Sequence, residues 1–220
     1  MTTVEESPGR RRYHSPLRRE SAERTRDAVV AAAKELFEER GWQAATMSAI
    51  AARAGVSTKT IEATFGTKAR LLDAAVDFAI RGDTRAIEMP RRAPVIEMEG
   101  APDARTMLNL HASHLRRIHQ RSAGIAAVVE QAAADPTVAS IWQRMNQNRC
   151  YAVNWAAKTL LAKPGHRPGL TPKDTRTAFW ITIDWGTYRT LTEHGSLTPA
   201  QYENWLRDYY ERQLLEHASG

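Results

Sequence analysis

Cys150 is the only thiol in the 220 residues. One cysteine cannot build an internal disulfide framework, and it fits a reducing compartment, so a cytoplasmic location is expected. Metal-ligand spacings of the CxxC or HExxH kind are missing, and His111-Ala-Ser-His114 is half a metal site at most. There is no GxSxG, no glycine-rich phosphate loop and no paired-carboxylate signature, so no catalytic residue is assigned, no cofactor is expected and the chain is not read as an enzyme. No apolar run approaches the ~20 residues that a membrane span needs. The first twenty residues, MTTVEESPGRRRYHSPLRRE, have no apolar stretch of the kind a secretory signal carries. Strand-like alternation is missing as well. Every periodic segment has helical spacing, which predicts an all-α fold of about nine helices.

What is present is a soluble globular composition, with 42% hydrophobic and 25% charged residues. The net charge of +6 is unevenly spread. Seven arginines lie between Arg10 and Arg26 against Glu20 and Glu23, whereas residues 171–220 are slightly acidic. Basic charge at one end suits contact with a polyanion there; its plainer reading is a solubilising tail. Residues 1–20, rich in Ser, Pro, Gly and Arg and without apolar period, are predicted to be a disordered basic arm.

A first helix is expected from about Glu20 to Arg40, with Val29, Ala32, Ala33, Leu36 and Phe37 as its apolar stripe and Gly41 as its end. Trp42 is expected to fold back onto that stripe. Thr46 to Lys68, TMSAIAARAGVSTKTIEATFGTK, then reads as two short helices around a tight turn. Met47, Ile50, Ala51 and Ala54 give the first helix one buried face, and Gly55 follows where the chain needs a left-handed residue. Val56 plugs the turn, and Ser57 or Thr58 caps the second helix. Ile61 and Phe65, four apart, turn inward and leave a polar outer face. This is a helix-turn-helix with Thr58 to Thr64 as its recognition helix, within a three-helix unit spanning 21–66.

Gly41, Thr46, Ile50-Ala51, Ala54-Gly55-Val56-Ser57, Thr60, Phe65, Lys68 and Leu71-Leu72 stand where the tetracycline-repressor (TetR) family has them. The chain therefore resembles that family of one-component bacterial regulators over residues 24–72, and its remainder is loosely similar to actinobacterial members. The resemblance implies a ligand-responsive repressor that binds a palindromic operator as a homodimer, with double-stranded DNA and a small-molecule effector as partners and no membrane. Thr46, Ser57, Thr58, Lys59, Thr60, Glu62, Thr64 and Lys68 are the candidate DNA contacts. Glu62 departs from the family's usual aromatic residue and Thr64 from its His or Tyr. Lys59, three residues before Glu62, is placed to share its charge. A rival reading keeps the helix-turn-helix as a structural element of a helical module that binds a protein partner.

A fourth helix, capped by Thr67, is expected to end near Gly82, and residues 82–102 to form a long loop broken by Pro90, Pro94, Gly100 and Pro102. Helices are then predicted over 103–120, 122–134, 137–162, from Thr171-Pro172 to about His194, and from Ser196–Pro199 to about His217. Together 67–220 would serve effector binding and dimerisation. Polar residues at inward positions mark the candidate effector site: His111 and His114, then Trp142, Met145 and Arg149 on one stripe, then Trp180, Asp184 and Tyr188. A buried charge needs a partner, so Arg149 with Asp184 reads either as a satisfied internal pair or as part of a polar grip in an apolar cavity. Trp185, Leu191, Tyr202, Trp205 and Tyr209 are the candidate dimer residues, aromatics being enriched at interface cores; plain monomer core is the alternative.

Overall fold

The computed structural model describes residues 16–85 and 87–216, so most of the expected arm, including Arg10, Arg11 and Arg12, lies outside the described residues. Ten α-helices carry the described chain, with no strand among them and only an isolated bridge between His166 and Leu215. No described helix is long and apolar enough to cross a membrane.

Helix α1 (Pro16–Ala44) starts at a proline, four residues before the predicted start. Proline suits a first turn because its missing N–H would have no partner there. Gly41, at φ 73° and ψ 177°, breaks the helix where predicted, and Trp42 folds back to stack on Phe37 at 5.9 Å. Helices α2 (Met47–Ala54), α3 (Thr58–Phe65) and α4 (Lys68–Arg81) follow. Thr46, Ser57 and Thr67 cap them, each side chain accepting a backbone N–H of the first turn. Phe37, Ile50, Ile61, Leu71 and Leu72 close a shared core, which Ile125, Val129, Val138 and Ile141 extend from two later helices. Each such side chain contributes about 1.5–3 kcal/mol of burial.

The expected loop over 82–102 is corrected: it holds a 3-10 turn (Met89–Arg91) and helix α5 (Ala93–Glu99). Val95 and Met98, three apart, bury α5 against the second core. Arg92 gathers the approach to α5 by donating to the carbonyls of Arg81, Arg85 and Ile87 and pairing with Asp83 at 3.0 Å.

Two predicted helices, 103–120 and 122–134, are one: α6 runs from Ala104 to Gln131. Ser122 does not break it, because its hydroxyl donates back to Ile118 O at 2.8 Å and satisfies itself within the helix. Gly124 of α6 sits against α1, where a Cβ would lie 2.7 Å from Glu38 Oε1. Helix α7 (Pro136–Leu161) matches its prediction closely.

The helix expected from 172 to 194 is broken into α8 (Pro172–Thr182), α9 (Trp185–Arg189) and a π-turn (Thr190–His194). Asp184 causes the break by capping α9, its side chain accepting the Thr187 N–H at 3.0 Å. Helix α10 (Pro199–Leu214) closes the second core through Tyr202, Leu206, Tyr210 and Leu214.

Candidate functional site

The α2–α3 turn is set by local chemistry. Gly55 takes the left-handed conformation at φ 68°, and the Val56 N–H returns to Ala51 O at 3.0 Å, closing α2 as a Schellman-type end. Of the two candidate caps, Ser57 caps α3: its Oγ accepts the Thr60 N–H at 3.1 Å and pairs with Thr60 Oγ1 at 2.8 Å. Thr64 Oγ1 donates to Thr60 O at 2.8 Å. Ile61 and Phe65 are buried, so Lys59, Thr60, Glu62 and Thr64 stand exposed on the opposite face, with Thr58 half-buried beside them. Lys59 and Glu62 form no ion pair, contrary to the charge sharing expected from their spacing.

Thr46 is exposed at the start of α2, where its hydroxyl serves the cap. Lys68 is half-buried: its Nζ donates to Gln43 O at 3.4 Å and lies 4.3 Å from the Trp42 ring centre. Desolvation holds its pKa below the ordinary lysine value. A neighbour that the sequence could not place is Arg26, whose guanidinium covers the Phe65 ring at 4.8 Å. It stands in a cleft of about 340 Å³ between α1 and α3, lined also by Ser21, Thr25, Thr60 and Thr64. The signal was the basic run itself; only the crossing of α1 over α3 selects this arginine.

The second feature is a cavity of about 490 Å³ bounded by the end of α4, the 3-10 turn, α5, α6, α7 and the α8–α9 break. Its walls are mostly apolar, with Met98, Leu115, Ile118, Met145, Trp155 and Ile183 among them. Of the predicted effector residues, the structure brings His111, His114, Met145 and Arg149 together on this wall. Trp142, Trp180, Asp184 and Tyr188 do not line it. The break before α9 is the reason: Trp180 is turned outward over the Arg149 guanidinium at 4.3 Å, and Tyr188 packs in the core against Tyr202. Asp184 contacts Arg149 as an ion pair behind the wall. Trp142 packs against the first core. Met98, Trp155 and Trp185 escaped the sequence reading, the first because its segment read as a loop and the last because it was assigned to the dimer face.

Hydrogen bonds fix the state of the histidines. Thr182 Oγ1 donates to the carbonyls of Ala178 and Phe179, so it accepts from Tyr210 at 3.0 Å. Tyr210 has then spent its only proton and must accept from His111 Nδ1 at 2.9 Å. His111 therefore carries its proton on Nδ1. His119 is satisfied on both sides: Nε2–H donates to Ile183 O, and Tyr202 donates to Nδ1 at 2.9 Å. Burial pushes His111 down to about 3 and His119 to about 4; burial with the charges of Arg117, Arg121 and Arg92 pushes His114 to about 4. All three are neutral at pH 7.

Helix α4 links the two features. Leu71 and Leu72 sit in the core with α1, while Asp77, Ile80 and Arg81 reach the cavity wall. Arg121 of α6 donates to Ala79 O and Ile80 O at its last turn, and Arg144 of α7 pairs with Asp73 and Asp77.

Among the expected dimer residues, Tyr202 is wholly buried inside the chain and bonded to His119, so it is corrected to a core residue. Trp185 is half-buried, donates from Nε1 to Ser122 at 2.9 Å and lines the cavity. Trp205 and Tyr209 stack at 5.5 Å on the half-exposed side of α10, and Leu191 is half-buried. Trp180 and Ile181 are exposed on α8, which packs against α10.

Residues 29–75 match the family described as bacterial regulatory proteins, tetR family. The fold is shared by NalD, the secondary repressor of the MexAB-OprM multidrug efflux pump in Pseudomonas aeruginosa, at 20% identity and a TM-score of 0.67 over 90% of this chain and 100% of that one. A TetR transcriptional regulator from Chloroflexus aurantiacus aligns with a TM-score of 0.63 at 18% identity, over 89% and 98% of the two chains. A protein from Saccharomonospora viridis, described as a transcriptional regulator and solved in complex with choline, gives 0.63 at 17%, over 88% and 99%. No curated protein matches in sequence.

Proposed function

We infer that this TetR-family regulator is a repressor that binds a palindromic operator as a homodimer and releases it when a small molecule fills the α4–α7 cavity. The observation that carries the reading is the α3 surface: a capped helix anchored by Ile61 and Phe65, with Lys59, Glu62 and Thr64 exposed on its outer face. One such helix reaches only a few base pairs, so two copies set ~34–36 Å apart are the usual way to read an operator. Trp180 and Ile181 of α8, with Trp205 and Tyr209 of α10, supply apolar surface for that pairing. The reading head would end near residue 66, and α4 would carry the effector signal, because it is packed into the head at one end and into the cavity wall at the other. A ligand shifts the head spacing only by its differential affinity for the two states.

The test is duplex binding by fluorescence anisotropy, with an in vitro selected duplex against a random one, across a salt series. A reader of this kind loses affinity with a log–log slope of about −0.9 per phosphate contacted. Equal, salt-independent binding of both duplexes would reject the reading in favour of a protein-binding module.

A further inference from the structure

The cavity carries a polar signal that its apolar walls do not need. Arg149 Nε is the one fully buried side-chain polar atom without a partner among the described residues. His111 Nε2 has no protein partner either, and the His111 side chain lines the cavity. Its proton is on Nδ1, committed to Tyr210, which leaves Nε2 as a bare lone pair. His114 lies one turn further along α6, on the same wall, and neither of its nitrogens has a protein partner. A neutral imidazole has one N–H and one lone pair. The wall therefore presents a fixed acceptor beside a group that can donate.

Charge narrows the choice. The cations of the lining are already matched, Arg81 with Asp77 at 3.2 Å and Arg149 with Asp184. A carboxylate would gain from the field of Arg92, Arg117 and Arg121 around His114, but it would set its lone pairs against that of His111 Nε2 and give up its hydration to mostly apolar walls. An ammonium would be repelled by that same field, which Glu88 of the lining offsets only in part, and it too would lose its hydration to apolar walls. A hydroxyl meets both histidines at once, donating to one and accepting from the other.

We propose that the cavity selects uncharged, largely apolar molecules carrying a hydroxyl, which donates to His111 Nε2 and accepts from the His114 ring N–H. This rests on the effector reading above. At about 490 Å³ the cavity suits a ligand of two or more rings, held by Met98, Trp155 and Trp185.

The test uses four probes on one skeleton with the full-length protein: 4-phenylphenol, 4-methylbiphenyl, biphenyl-4-carboxylate and biphenyl-4-ylmethylammonium. Binding is followed by calorimetry and by quenching of tryptophan fluorescence, and DNA release by anisotropy. The phenol should bind wild type roughly tenfold or more tightly than its methyl isostere, because a site that hydrogen-bonds a hydroxyl leaves a polar group unpaired without it. His111→Phe and, as an independent variant, His114→Phe should each erase that preference while retaining affinity for 4-methylbiphenyl. Equal binding of the phenol and the methyl compound, or tighter binding of either ion, would overturn the proposal and leave the effector reading standing. Phenol-selective binding without DNA release would do the reverse. Binding of none of the four to folded protein would overturn both.

Discussion

Trp42 Nε1 donates to Asp135 Oδ2 across 2.8 Å, joining the turn after α1 to the residue that caps α7. Ninety-three residues separate them, and the bond is one of the few polar ties between the head and the later helices. Asp135 accepts at the same time from the backbone and hydroxyl of Thr137, and these bonds hold its carboxyl below the usual range. Trp42→Phe keeps the stack on Phe37 and removes only the donor. It should lower Tm by a few degrees, about 2–4 °C for a chain of this size, with the near-ultraviolet spectrum otherwise native. Asp135→Asn, which keeps an acceptor for Trp42, should be milder; a larger effect than Trp42→Phe would mean that the α7 cap dominates.

Arg149 and Asp184 are unequal partners. The Asp184 side chain is 34% exposed and that of Arg149 only 12%, with Nε already unsatisfied. Asp184 also caps α9. Arg149→Met therefore leaves a carboxylate that water reaches, costing about 1 kcal/mol. Asp184→Leu strands a buried guanidinium and removes a cap, costing about 3–4 kcal/mol. The double variant should recover part of that loss. Urea unfolding of the four proteins gives the cycle, and equal single costs would refute the asymmetry.

How far these features were legible in the sequence varies with their physical origin. Helices α1 to α4 were, because the caps at Ser57 and Thr67 and the stops at Gly41, Gly55 and Gly82 are single-residue signals that act locally. The α6 continuity was not, since nothing local distinguishes a serine that bonds its own helix from one that ends it. Asp184 read as a polar residue on a long stripe; its choice to cap α9 depends on Arg149 holding it from another helix. Helix α5 was hidden by Pro94 and Gly100, which sit at its two ends rather than inside it. The same limit applies to the cavity. His111, His114, Met145 and Arg149 could be found as inward polar or stripe positions, whereas Met98 and Trp155 become wall only after α5 docks on α6.

Stability should fall on mild acidification. His111, His114 and His119 are held neutral with pKa values of about 3, 4 and 4, below the ~6.5 of an unfolded histidine. The unfolded chain thus binds more protons below that value. The stabilisation is complete above about pH 6.5 and is lost as pH falls toward 4, on the order of 1 kcal/mol per pH unit for each histidine. Denaturant midpoints at pH 7.5, 6.5 and 5.5 should fall slightly between the first two and about three times as far between the second and third. His119→Phe, which drops one titrating group, should reduce that fall; an unchanged slope would show that His119 does not contribute.

Glu62 is exposed on the outer face of α3, and no ion pair with Lys59 offsets its charge. If α3 meets a duplex as proposed, an uncharged side chain at this position would meet it without repulsion, whereas an ionised carboxylate cannot donate to a phosphate oxygen. Under the proposed reading, a negative charge on this face opposes every duplex alike. Glu62→Gln removes the charge at nearly constant shape, so it should tighten binding to all duplexes several-fold with their ranking unchanged, an effect that shrinks as salt rises. If Glu62 instead accepts from a cytosine N4, the same substitution should relax preference at one position per half-site, a contact worth about 1 kcal/mol of discrimination. A saturation library of the operator, bound by wild type and variant at two salt concentrations, separates the two. Affinities identical to wild type across that library would place Glu62 away from the duplex and tilt α3 so that Lys59 and Thr64 lead its approach.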